Sequence, residues 1–123
     1  MAAKRILIVD DEELVRLVMR SVLHGAGFQV TEAADGEDAL RALMQAGQSF
    51  DVVLLDLRMP RLSGPETLRR IREQAPATKV VMLSGGIPDG ELETCIGQGD
   101  VRFLPKPFAN DELIQAVQEA LAG

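Results

Sequence analysis

Residues 52–60 read Val-Val-Leu-Leu-Asp-Leu-Arg-Met-Pro, four aliphatic residues that run straight into Asp56. A run without a polar residue in alternate positions does not suit a strand with one wet face. It suits a parallel strand covered on both sides. Ile6 to Val9, which ends at Asp10 and Asp11, has the same form, as does Val80 to Leu83, which ends at Ser84. These three runs are expected at the centre of a sheet. Val30 to Ala34 is more polar and fits one edge, and the short Val101 to Leu104, with Lys106 just beyond, fits the other.

Between the strand-like runs the apolar period becomes helical, and this alternation marks an α/β fold. Leu14, Val15, Val18, Met19, Val22 and Leu23 follow helical spacing, with Gly25 and Gly27 as a stop. Asp35 is placed to cap a second helix that carries Leu40, Leu43 and Met44 inward. Pro65 suits the first turn of a third, with Leu68 and Ile71 buried and Arg69, Arg70 and Arg72 solvated. A last helix, capped by Asn110, places Leu113, Ile114, Val117 and Leu121 on one face. The fourth helix is the exception. Gly85, Gly86, Pro88, Gly90, Gly97 and Gly99 leave only Glu91 to Ile96 with helix-forming character. Each interior glycine costs about 1 kcal/mol relative to alanine, so this element is expected to be short, labile and a moving part.

The bulk properties narrow the function. A chain of 123 residues forms one domain, 1–123, and 46% hydrophobic with 26% charged residues is an ordinary globular composition. The net charge of -6 opposes binding to nucleic acid or an anionic membrane surface. No apolar run approaches the roughly 20 residues that span a bilayer, and the polar start continues into no signal peptide, so the cytoplasm is the expected compartment. The single cysteine, Cys95, cannot form an internal disulfide and reads as a small apolar residue of the fourth helix.

Five β/α units in succession predict a doubly wound (βα)5 domain, a five-stranded parallel sheet with helices on both faces. Ligands of such sheets bind beyond the carboxyl ends of the strands, where the strand order reverses. In the flavodoxin-like order 2-1-3-4-5, strands one and three are neighbours at that point. Asp10, Asp11 and Asp56 then share one crevice, with Ser84 and Lys106 at the same edge. Three carboxylates in one pocket repel, and a hard divalent cation with oxygen ligands, Mg2+, relieves them. The middle carboxylate, Asp56, can attack a phosphoryl group whose charge the ion neutralises. Lys106 is suited to act as a point charge on one phosphoryl oxygen and the Ser84 hydroxyl to donate to another.

Over its whole length the chain resembles the receiver domain of two-component response regulators, a family whose chemotaxis members have this strand order. The segments that carry the resemblance are Ile-Leu-Ile-Val-Asp-Asp-Glu (6–12), Val-Val-Leu-Leu-Asp-Leu-Arg-Met-Pro (52–60) with Gly64, Val-Val-Met-Leu-Ser (80–84) and Phe-Leu-Pro-Lys-Pro-Phe (103–108). It implies phosphotransfer from a sensor histidine kinase or phosphotransfer protein to Asp56. It also implies Mg2+ held by Asp11, Asp56 and the backbone carbonyl of Arg58, with Asp10 acting through water. Ser84 and Phe103 become a switch pair, and Lys106-Pro107 a cis peptide. The face formed by the fourth helix, fifth strand and fifth helix then changes its preference for a downstream protein or output domain, or for a second copy in a phosphorylation-dependent dimer. Such a domain catalyses its own phosphorylation and slow dephosphorylation but is not a turnover enzyme.

The chain departs from the family pattern at the switch aromatic, Phe103 where Tyr is commoner, and at Val101 and Arg102, where acidic residues are usual. Ser84-Gly85-Gly86 and Ser63-Gly64-Pro65-Glu66 are similar to receivers fused to hybrid kinases, whereas a Met just before strand one fits a chain that begins with its receiver. Haloacid-dehalogenase-like phosphatases share the chemistry but place a second Asp two residues after the nucleophile. Here that position is Arg58. Without a positioned base, worth about 10² to 10⁴-fold, water attacks the acyl phosphate slowly, and Arg58 and Gly86 are expected to tune its lifetime. The remaining alternative is a receiver-like binding module that is never phosphorylated. His24, near the end of the first helix, reads as a residue that serves the helix terminus and not as a relay histidine.

Overall fold

The computed structural model describes residues 3–45, 49–57, 59, 61–85 and 101–123. The backbone carbonyl assigned to Arg58, together with Gly86, Cys95 and the helix expected around residues 91–96, lies outside the described residues. Among those described, β1 (Arg5–Val9), β2 (Gln29–Ala33), β3 (Val52–Asp56), β4 (Lys79–Ser84) and β5 (Val101–Pro105) form one sheet of order β2-β1-β3-β4-β5. Every pairing is parallel. The aliphatic runs are central as expected: all five residues of β3 are buried, while β2 and β5 are only partly covered.

Alternation along the strands divides the core. Leu7, Val9, Val53, Leu55, Val80 and Met82 face α2 (Gly36–Met44) and α3 (Gly64–Gln74), where Leu40, Leu68 and Ile71 cover them. Ile6, Ile8, Val52, Leu54, Val81 and Leu83 face α1 (Glu13–Gly25) and a C-terminal helix (Asn110–Ala122), which contribute Met19, Leu23, Leu113 and Val117.

Local sequence sets the helix ends. Gly27 takes a φ of +98°, which a glycine adopts without strain. With it, the Phe28 N–H reaches the Leu23 carbonyl and the Gly27 N–H reaches that of His24, a Schellman closure in which Phe28 and Leu23 share the core. The His24 carbonyl takes part in this closure through the backbone alone. The Asp35 carboxylate accepts the Asp38 N–H at 2.8 Å and caps α2. Its other oxygen accepts Arg61 Nη2 at 2.6 Å from the loop after β3. Arg61 holds a left-handed φ of 66°, strained for any residue with a Cβ by about 1–2 kcal/mol. Asp35→Ala is expected to lose cap and partner together and to lower stability by ~1–2 kcal/mol. Asp35→Asn, which still caps, is expected to lose less than half of that, and urea unfolding of both variants checks the difference.

Of the apolar residues at helical spacing on α1, Leu14 and Val18 are 76% and 55% exposed, and Leu17 is exposed too, because α1 is apolar over a wider arc than the sheet can cover. Three sequence expectations are corrected. Met44, in the last turn of α2, is also exposed. Asn110 does not cap the C-terminal helix. The capping position is Ala109, whose N–H donates to the Glu112 carboxylate at 2.8 Å, and Asn110 is the first helical residue. Arg72 is half-buried, its Nη1 donating to the Thr78 carbonyl at 3.0 Å. Arg69 and Arg70 are exposed as expected but already paired with Glu66 along α3. Hydrogen bonds from Arg69, then from Arg70, outweigh desolvation and hold the Glu66 carboxyl at about 2.

Candidate functional site

The strand register builds the site. Val9 lies beside Leu55, so Asp10 follows next to Asp56 on the neighbouring strand. Asp56 lies opposite Leu83, and Ser84 opposite Pro105, which brings Lys106 to the same sheet edge. The ladder runs on past the strand ends, with the Asp10 N–H on the Ala33 carbonyl, Leu57 on Leu83 and Lys106 on Ser84. Side-chain parity therefore carries over. Asp56 shares the parity of Val52 and Leu54, on the side of α1, whereas Ser84 shares that of Val80 and Met82, the side to which Phe103 also packs. Ser84 and Phe103 are thus one diagonal step apart on the same side of the sheet.

Asp10, Asp11 and Asp56 come together: one carboxylate oxygen from each lies within 4.8 Å of the others. Asp10 is fully buried and Asp56 nearly so, while Asp11 is exposed at the mouth. Lys106 Nζ donates to Asp10 Oδ2 at 3.0 Å and lies 3.6 Å from Asp56 Oδ1. Burial opposes the ammonium's charge, but the hydrogen bond to Asp10 and the charges of Asp56, Asp10 and Glu12 outweigh it, so the Lys106 pKa is raised. The other Asp10 oxygen accepts the Glu12 N–H at 2.9 Å. Asp10 is in this way an immobile floor for the pocket. Ser84 is 5% exposed, and Lys106-Pro107 is cis as expected.

The donor set fits Mg2+. All the oxygens are hard, which suits a small cation that demands oxygen ligands. Such an ion keeps several waters, which the exposed Asp11 side admits. Asp11 and Asp56 are the carboxylates suited to direct contact. Asp10, with a hydrogen bond already on each oxygen, is suited to contact through water.

Behind the carboxylates, Gly64 seats the first turn of α3 against the chain that leaves Asp56. A Cβ there would lie 2.6 Å from the Leu57 carbonyl oxygen and 2.8 Å from that of Asp56. Ser63 caps the same helix through the Glu66 N–H. Two arginines with roles here were missed from the sequence. Arg61 carries no local signal, since its conformation is one that glycine or asparagine prefers. Arg16 did carry one, a lone cation inside the apolar run of residues 14–18. Its guanidinium donates to the Asp10 carbonyl at 2.7 Å and to Glu32 at 3.2 Å.

Comparison with known proteins agrees with the fold. Residues 6–118 match the family described as response regulator receiver domain. The chain is 38% identical over 112 residues to the two-component response regulator ORR41 of rice, covering 89% of this chain and 87% of that protein. It is 35% identical over 116 residues to the sensor kinase CckA of Brucella abortus, covering 94% of this chain but only 12% of that much longer protein. Its structure superposes on that of the chemotaxis protein CheY4 of Vibrio cholerae with a TM-score of 0.89 at 31% identity, covering 98% of this chain and all of the other.

Proposed function

The chain belongs to the response regulator receiver family, and on that footing we propose that it accepts a phosphoryl group on Asp56 from a sensor histidine kinase or phosphotransfer protein and relays the signal by a change of surface. Receiver domains are signalling modules, not turnover enzymes. The observation that carries the reading is Lys106 Nζ set between Asp10 and Asp56, groups from the ends of three strands, at the floor of a three-carboxylate pocket.

The pocket residues have separate tasks. An Asp56 oxygen attacks phosphorus in line, the bond from phosphorus to the donor imidazole nitrogen breaks, and the released imidazole takes up a proton. Lys106 neutralises a phosphoryl oxygen, and Asp10 fixes Lys106. Asp11 and Asp56 would hold Mg2+, with Asp10 acting through water, and the ion would supply positive charge at the phosphoryl oxygens. Position 58 is an arginine, so no carboxylate stands two residues after Asp56 to activate water as in haloacid-dehalogenase-like phosphatases. The product is a persistent aspartyl phosphate, its lifetime tuned by Arg58 and Gly86. Ser84 then turns its hydroxyl to the phosphoryl group and the Phe103 ring follows it inward. Phe103 has no hydroxyl to anchor that state, so packing alone holds it.

The readout surface includes β5 and the C-terminal helix, and its partner is a downstream protein, an output domain or a second copy of the chain. A single domain over 1–123, no direct contact with nucleic acid and a cytoplasmic location complete the proposal. Among the described residues no helix is long and apolar enough to cross a membrane. Incubation with acetyl phosphate is expected to add one phosphoryl group by intact mass. The gain depends on Mg2+ and is absent in Asp56→Asn; a gain that survives chelation or the substitution would contradict the proposal.

A further inference from the structure

We propose that Arg16 is a positioning residue for the metal-binding carboxylates, acting through the backbone of Asp10 and oriented by Glu32. The proposal rests on the reading of the acidic pocket as a Mg2+-dependent phosphoacceptor site. Asp11 is the exposed member of that pocket and gains no rigidity from burial of its own side chain. Its placement depends on the peptides on either side of it. The peptide between Asp10 and Asp11 is held at its oxygen, which accepts Arg16 Nη1 at 2.7 Å. The peptide between Asp11 and Glu12 is held at its N–H, which donates to Asp10 Oδ1 at 2.9 Å. A peptide unit is planar, so a hydrogen bond on each of the two restrains the direction in which Asp11 leaves the chain.

Arginine suits this task because its planar fork reaches two acceptors at once. Nη1 takes the Asp10 carbonyl while Nε takes Glu32 Oε1 at 3.2 Å on β2. A lysine in its place brings the same charge but no fork. The Arg16 side chain is only 15% exposed, and the second oxygen of Glu32 accepts Arg20, so the carboxylate that orients Arg16 is itself held.

Charge and position predict opposite results, which makes the role testable. If Arg16 acted only by its charge, its removal would leave three carboxylates with one cation fewer nearby and would tighten Mg2+ binding, while Arg16→Lys would change nothing. Positioning predicts weaker binding in both variants. Partners that orient ligands typically contribute 10- to 100-fold to metal affinity, and an effect through a backbone carbonyl belongs at the low end, about tenfold.

The experiment is calorimetric titration of the purified chain with MgCl2, for the native sequence, Arg16→Lys and Arg16→Ala, with urea unfolding of each to establish that it is folded. Affinities about tenfold weaker in both variants support the role. Native affinity in Arg16→Lys, or tighter binding in Arg16→Ala, overturns it. Should Arg16→Ala fail to fold, Arg16→Lys decides alone. Absence of Mg2+ binding by the native chain would instead overturn the reading of the site itself.

Discussion

Lys106→Met is expected to slow phosphoryl acceptance about a hundredfold while tightening the binding of Mg2+. Methionine keeps most of the length and the apolar stem of the side chain, so the change removes chiefly the charged ammonium and its hydrogen bond to Asp10. In the acceptor reaction that charge faces a phosphoryl oxygen, and loss of one preorganised group of this kind typically slows a reaction by ~10² to 10³-fold. In the metal-free protein it faces Asp10 and Asp56, at 3.0 and 3.6 Å, and there it competes with any second cation. Mg2+ titration and rates of labelling by acetyl phosphate are therefore expected to move in opposite directions, which a general loss of structure could not produce. Stability falls as well. Breaking a fully buried pair costs about 3–5 kcal/mol, and because Lys106 keeps 22% of its side-chain surface in water a loss on the order of 2 kcal/mol is expected.

The same contact gives a signed pH dependence. The Lys106 pKa lies above its ordinary 10.5 in the folded protein, so the folded state binds the proton more tightly than the unfolded chain. The resulting stabilisation is fully present below the ordinary lysine range and is lost as pH rises through the raised value. Urea midpoints from neutral pH upward are expected to show an alkaline loss in the native chain that is smaller in Lys106→Met.

Gly64→Ala is the second large effect. The atoms that a methyl group would meet, the Leu57 oxygen at 2.6 Å, the Leu57 Cα at 2.7 Å and the Asp56 oxygen at 2.8 Å, all belong to the backbone, so no side-chain rotation relieves the overlap. Either α3 moves outward or the chain after Asp56 moves. Overpacking of this kind costs about 1–3 kcal/mol. Because the Asp56 backbone is itself one of the groups the methyl would press on, acceptance of a phosphoryl group is expected to slow about tenfold, a loss of the size seen when a reacting group is slightly misplaced. Gly36→Ala provides the contrast. Its methyl group would meet the side chains of Thr67 and Leu62, between α2 and α3, so stability is expected to fall with the labelling rate nearly unchanged.

Much of this arrangement was legible in the sequence for a physical reason. A central parallel strand must be apolar on both faces, so β1, β3 and β4 announce themselves, and the first polar residue after each lies at the carboxyl edge where α/β sheets bind ligands. Topology then brings together Asp10 and Lys106, far apart along the chain. The cap at Asp35 and the stop at Gly27 were legible because both depend on neighbours in sequence.

Most of the misses have one cause, which is that the deciding partner lies elsewhere in the fold; Asn110 is the exception, decided by its own sequence neighbours. The apolar stripe of α1 does not say how much sheet there is to cover it, so the exposure of Leu14 and Val18 was not legible. Asn110 has the chemistry of a cap, yet the helix begins one residue earlier, where the Glu112 carboxylate meets the Ala109 N–H. Arg72 read as a solvated charge, and Arg16 and Arg61 drew no reading at all, because their acceptors, the Thr78 carbonyl, a carbonyl at the pocket and the cap of α2, become neighbours only on folding.

The central claim is that one carboxylate oxygen, on Asp56, receives the phosphoryl group. Reductive trapping with borohydride after incubation with Mg2+ and acetyl phosphate, followed by peptide mass mapping, tests it most directly, because reduction converts an aspartyl phosphate to homoserine. Homoserine at position 56 and nowhere else is the expected result. A phosphoryl group on His24 or Ser84, or no modification with either the small donor or a kinase, would contradict it.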